Sequence, residues 1–276
     1  MLKQRIKTIS AVQILDEAKN QPINEPLTQL AVKLFPHCQK RRQIFVDNVL
    51  EIYLASRDKD VLVLHSPGGW GNAHWDGVQD WEKSVVTGVT ATIQKLGYSW
   101  IMKQYLRSGD GLWGGVSIWR EAQTFFFGVS YRAQVLAKEL ILITESLPKL
   151  RIVLVGASQG AAFNNMVTMK LGDAERIYSI ELGTFFPHMK RRQLTKRNLA
   201  IDSNGLIDDP ICHLNLLAST KSYFMAFTRW FEYKAQGKHV KFTLCINTPG
   251  HEYRWEYPEI HGRINEFLNT VFGEKP

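Results

Sequence analysis

The strongest constraint on this chain lies at its middle. There Arg151-Ile-Val-Leu-Val-Gly156 runs into Ala157-Ser158-Gln159-Gly160, and then into the largely apolar stretch Ala161-Ala-Phe-Asn-Asn-Met-Val-Thr-Met-Lys170. A short, unbroken β-branched and leucine run is what a strand buried on both faces requires. The residues after Gly160 read as a helix. Residues 156–160 match G-x-S-x-G, a pentapeptide common by chance, but here it joins a strand to a helix. Small residues at Gly156 and Gly160 permit a tight turn and close contact of helix with strand. Such a turn places Ser158 in a strained backbone conformation with its hydroxyl above the sheet. The helix N-terminus beneath it favours developing negative charge.

Around this unit the hydrophobic pattern alternates. Strands are expected at Asp60–His65, Ser99–Leu106, Arg151–Gly156, Arg176–Leu182, Arg197–Asp202 and Lys238–Asn247. Helices are expected from about Trp75 to Lys95, Tyr131 to Ser146, Gly160 to Lys170, Leu216 to Ala235 and Tyr257 to Phe272. Alternation of this kind gives an α/β fold: a mainly parallel sheet of about six strands with helices on both faces. Residues 1–58 read differently, as a helical segment packed on the core, with residues 59–276 forming the α/β domain.

Composition narrows the function classes. The 276 residues are 45% hydrophobic and 22% charged, enough for a core that needs no metal or disulfide. Three cysteines, Cys38, Cys212 and Cys245, form neither a CxxC pair nor a zinc spacing. Their sparse, odd count, with no signal-peptide pattern at the N-terminus, points to the cytoplasm. No run approaches the roughly 20 apolar residues of a membrane span, so no integral membrane segment is expected. The net charge of +8 gathers in Lys40-Arg41-Arg42 and Lys190-Arg191-Arg192, which read as solvated faces and not as a nucleic-acid motif. No dinucleotide fingerprint, P-loop or HExxH occurs, so neither cofactor nor metal is expected.

From about residue 60 onward, the order of strands, G-x-S-x-G elbow, acidic turn and Gly-His turn resembles the α/β-hydrolase superfamily. The resemblance implies a serine hydrolase with Ser158 as nucleophile. It implies His251 as base, in Thr248-Pro-Gly-His251 between the last strand and last helix, where an imidazole can swing over the serine. His261, inside the final helix, is the competitor and reads as a surface residue. The orienting acid is expected after the strand before the histidine strand, which points to Asp209, beside Pro210, with Asp208 as the alternative acid. His65-Ser-Pro-Gly68-Gly69-Trp70-Gly71 resembles the family's oxyanion loop, so the oxyanion donors are expected to be the Gln159 N–H with that of Gly69 or Trp70. His65 itself reads as a hydrogen bonder that braces the loop.

The stretch from Gly109 to Phe127 is rich in glycine and aromatics, and places Trp113 and Trp119 as candidate substrate contacts, with core packing as the other use for such rings. The expected partner is a small-molecule ester or thioester, cleaved through an acyl-serine. A non-catalytic relative that binds a ligand or partner is the alternative. Oligomeric state is left open.

Overall fold

The computed structural model describes residues 21–69, 71–107, 128, 130–213, 216–237, 245 and 248–275. In chain order its elements are α1 (Asn24–Leu34), α2 (Gln39–Ser56), β1 (Val61–Ser66), α3 (Asp80–Lys95), β2 (Trp100–Gln104), α4 (Tyr131–Ser146), β3 (Arg151–Ala157), α5 (Gln159–Leu171), β4 (Ile177–Leu182), α6 (Phe186–Met189), β5 (Asn198–Ile201), α7 (Leu216–Ala235) and α8 (Pro258–Phe272).

Side chains leave a strand alternately to its two faces, and this sheet uses both. Leu62, Leu64, Ile152, Leu154 and Ile177 pack beneath α1, α2, α4 and α5. Val61, Val63, Val153, Val155, Ile180, Leu182 and Ile201 face the other way, against α3 and α8. That two-sided burial explains why β1 and β3 are continuous apolar runs. Helix α8 covers its share with Ile260, Ile264, Leu268 and Phe272, a four-residue repeat that lines one helical stripe. Each fully buried aliphatic side chain stabilises the fold by about 1.5–3 kcal/mol.

The strand order is β2-β1-β3-β4-β5, with every neighbouring pair parallel. The chain therefore moves outward from β1 to β2 and then crosses back to β3. This reversal opens a crevice beyond the carboxyl ends of β1 and β3, the position where such sheets bind ligands. Ser66 pairs with Gly156 in the β1–β3 register, which brings the loops after β1 and β3 side by side.

Several boundaries differ from expectation. Trp75–Gly77 is a single 3₁₀ turn, and extended backbone at Val78 and Gln79 separates it from α3. Helix α3 then begins at Asp80, with Asp80 and Glu82 in its first turn complementing the helix dipole. Strand β1 includes His65 as expected and runs one residue further, to Ser66. Of the expected strand at residues 238–247 only Cys245 is described, so five strands are seen and the sixth lies outside the described residues. Helices α1 and α2 share the core beneath α4, while residues 1–20 lie outside the description. Among the described residues no helix is long and apolar enough to cross a membrane.

Candidate active site

Ser158 has φ 54° and ψ −116°, and it is the one described non-glycine residue with positive φ. Such a conformation costs about 1–3 kcal/mol and persists only where its surroundings enforce it. The enforcement is visible. The Ser158 N–H donates to Leu182 O at 2.8 Å, and Ser158 O accepts the Ala162 N–H at 3.1 Å. A β-carbon on Gly156 would lie 2.6 Å from the Gly160 carbonyl, and one on Gly160 would lie 2.1 Å from Ser66 O. The turn thus needs glycine at both positions that the sequence singled out. From β1, the Ser66 hydroxyl donates to Asn164 Oδ1 at 2.7 Å, fastening the strand end to α5. The Gln159 N–H stands in the first turn of α5, where backbone donors have no partner within the helix.

Asp209 and His251 meet at 2.6 Å, Oδ2 to Nδ1. Asp209 is fully buried. Burial pushes its carboxyl upward, but the bond and charge of His251, then the Tyr253 hydroxyl and the Ile211 N–H, outweigh that and hold it below the usual carboxylate range. The Tyr253 O–H donates to Oδ2 at 2.5 Å, and the Ile211 N–H donates to Oδ1 at 2.8 Å. The Cys212 thiol, pushed up by its own burial and then by the Asp209 charge, donates to Oδ2 at 3.2 Å. An ionised Asp209 accepts from Nδ1–H and leaves Nε2 of His251 as the basic nitrogen. Asp208 is exposed, with its backbone bridged to Ser203, so the structure pairs the histidine with Asp209 and not with the alternative. His261 lies in α8 beside the Trp255 ring.

The serine and the histidine approach the same backbone from two sides. Ser158 bonds Leu182 O, and a β-carbon on the next residue, Gly183, would sit 2.9 Å from His251 Cε1 and 2.8 Å from Asp209 Oδ2. No hydrogen bond joins the Ser158 hydroxyl to His251 here. Catalytic bonds are often long before substrate arrives and tighten in the complex.

The loop after β1 is held by two buried charged side chains that sequence reasoning missed. Glu82 Oε1 accepts the Gly68 N–H at 2.9 Å and lies 2.8 Å from His65 Nε2. Gln104 Nε2 approaches the other ring nitrogen of His65 at 3.2 Å, so His65 braces the loop as expected, from within the strand. The fully buried Arg107 donates to both Pro67 O and Gly69 O at 2.7 Å, and its backbone N–H donates to Gly71 O at 2.7 Å. Gly68 N–H is therefore committed to Glu82, while Gly69, at φ 56°, keeps its N–H off Glu82. Trp70, Trp113 and Trp119 lie outside the described residues.

Tyr253 was also missed, although it stands two residues after His251. A tyrosine at that spacing carries no signal until the loop's path is known. One charge run was misread: Arg192 is buried, with a bidentate pair to Asp202 at 2.6 and 2.7 Å and Glu181 at 3.6 Å. Among the described residues no group of three or more His, Cys, Asp or Glu side chains is placed to hold a metal ion.

The described residues form an α/β protein built on a five-stranded parallel sheet, with Ser158 and the Asp209–His251 pair at the carboxyl end of its central strands. No protein-family model matches the sequence, and no curated protein matches it. Among solved structures 17 chains match. One is a Trichoderma reesei cutinase in complex with a C11Y4 phosphonate inhibitor, at 17% identity and a TM-score of 0.45, covering 95% of this chain and 97% of the cutinase.

Proposed function

We propose that this chain is a serine hydrolase of the α/β-hydrolase type that cleaves a carboxylic ester or thioester through an acyl-Ser158 intermediate. The observation that carries the reading is the enforced positive φ of Ser158 at a strand–helix turn bonded to Leu182, whose next residue, Gly183, abuts the Asp209–His251 pair. A turn of this strain serves to expose one hydroxyl above the sheet.

In the reaction Nε2 of His251 takes the Ser158 proton as Oγ attacks the acyl carbon. Asp209 keeps Nδ1 protonated and stabilises the imidazolium. The Gln159 N–H and an N–H of the braced loop, from Gly69 or Trp70, stabilise the oxyanion; such a donor is worth about 3 kcal/mol in the transition state. The imidazolium then protonates the leaving alcohol or thiol, and water, activated by His251, releases the acid. Trp113 and Trp119 are the proposed contacts for the acyl or alcohol group.

Fluorophosphonate labelling read by intact mass tests the reading. The expected result is one adduct on the wild-type chain and none on Ser158→Ala. An unlabelled but folded wild type, or an adduct that survives the substitution, overturns it in favour of a non-catalytic relative or another nucleophile.

A further inference from the structure

Helix α7 presents three phenylalanine side chains to water. Phe224 is 70% exposed, Phe231 61% and Phe227 51%, and these are the exposed phenylalanines among the described residues. Their spacing of three and then four residues puts them on one stripe. Ala226, fully buried, marks the opposite side of the helix as the one that faces the protein. The stripe is thus the outward face of the helix. An aromatic ring contributes roughly 150–250 Å² of surface, so three rings this exposed form a patch of a few hundred Å², the size that marks an interaction site.

The charges around the stripe identify what it meets. Lys221 and Lys234 are exposed beside it, and Lys234 Nζ lies 4.1 Å over the Trp230 ring. Glu232 is the single acid in the helix sequence, against Lys221, Arg229 and Lys234. The chain as a whole carries +8. A second copy of so basic a chain is repelled by this face. A surface that is apolar below and negative above is attracted by it. We propose that α7 docks the protein on an anionic lipid surface, with the phenylalanines in the acyl boundary and the lysines at the headgroups, lying in the interface and not crossing it. The proposal is independent of the hydrolase reading, because it is read as binding.

Sedimentation of the full chain with lipid vesicles tests it. The wild type is expected to pellet with vesicles of phosphatidylcholine containing phosphatidylglycerol about tenfold more tightly than with phosphatidylcholine alone, and to lose that preference at high salt. Phe224→Ser with Phe231→Ser should weaken binding about tenfold or more, while Phe224→Leu with Phe231→Leu retains it. Lys221→Glu with Lys234→Glu should abolish the anionic preference. Circular dichroism checks that each variant keeps its fold. Equal pelleting of the serine and wild-type chains, or no binding to either vesicle, overturns the proposal. So does a concentration-dependent dimer in analytical ultracentrifugation that the serine pair abolishes while vesicle binding is unchanged, which would assign the face to a second copy. Each of these outcomes leaves Ser158 labelling unaffected, so the two readings fail separately.

Discussion

Replacing Tyr253 with phenylalanine removes one oxygen and leaves the ring against Trp81 and His251, at 6.0 and 5.9 Å. That oxygen donates to Asp209 Oδ2 at 2.5 Å, the same atom that receives the His251 proton at 2.6 Å. A hydrogen bond to a charged group is worth about 1.5–3 kcal/mol. Its loss raises the Asp209 carboxyl back toward the ordinary carboxylate range. The Cys212 thiol and the Ile211 N–H still hold part of the depression. Asp209 titrates lower in the fold than in the unfolded chain, so its contribution to stability is present above the unfolded value and is lost as pH falls through the folded one. Tyr253→Phe shrinks that contribution. Its stability deficit should be full at neutral pH and close as pH falls through the folded carboxyl value. A more basic Asp209 also binds the imidazolium more tightly, so the acidic limb of kcat/KM should move upward. Denaturant unfolding across pH, together with pH–rate profiles on a soluble ester, measures both effects. A deficit that stays the same size to the acid end of the folded range would assign the loss to packing, and an unmoved acidic limb would refute the coupling of Tyr253 to His251 through Asp209.

Two further outcomes follow from buried carboxylates. Glu82→Gln withdraws the charge that accepts from both His65 and Gly68. It should lower kcat by about tenfold with little change in KM and cost about 1–3 kcal/mol of stability, as read by steady-state kinetics and thermal melting. Glu139 is buried in α4, and desolvation pushes its carboxyl up to about 8. A folded value raised above the unfolded one means stability that is complete below about pH 4.5 and declines as pH rises toward 8. Glu139→Gln should remove that decline, gaining on the order of 3 kcal/mol over the wild type between pH 5 and pH 8 in urea unfolding. Parallel wild-type and variant curves would exclude the effect.

What the sequence made legible follows from how local each feature is. β3, the elbow and α5 occupy consecutive residues, so the strain at Ser158 was readable from Gly156 and Gly160 before any coordinates. Asp209 and Asp208 are adjacent, and sequence ranked them on little more than the neighbouring proline. Their separation is a matter of side: one faces the interior and the other faces solvent. Glu82 and Arg107 were invisible because their partners, at positions 65 to 71, come from another strand's loop, and helix α3 and strand β2 carry no pattern that announces it. Arg192 misled for a related reason. A run of basic residues suggests water, yet Asp202 and Glu181, brought in by β5 and β4, make a buried pocket for one member of the run.

The two-sided sheet also sets an order on how the molecule is made. One face is covered by α1, α2, α4 and α5, all of which precede β4 in the chain. The other face depends on α3 and on α8, whose Ile260, Ile264, Leu268 and Phe272 are translated after all five described strands. A nascent chain that has reached β5 therefore holds Val153, Val155, Ile180 and Leu182 under half a roof, with the histidine loop not yet synthesised. Until α8 emerges, that valine-rich surface is open to chaperones and to neighbouring chains on the same message. Covering of this face and completion of the candidate active site then wait on the same stretch of chain.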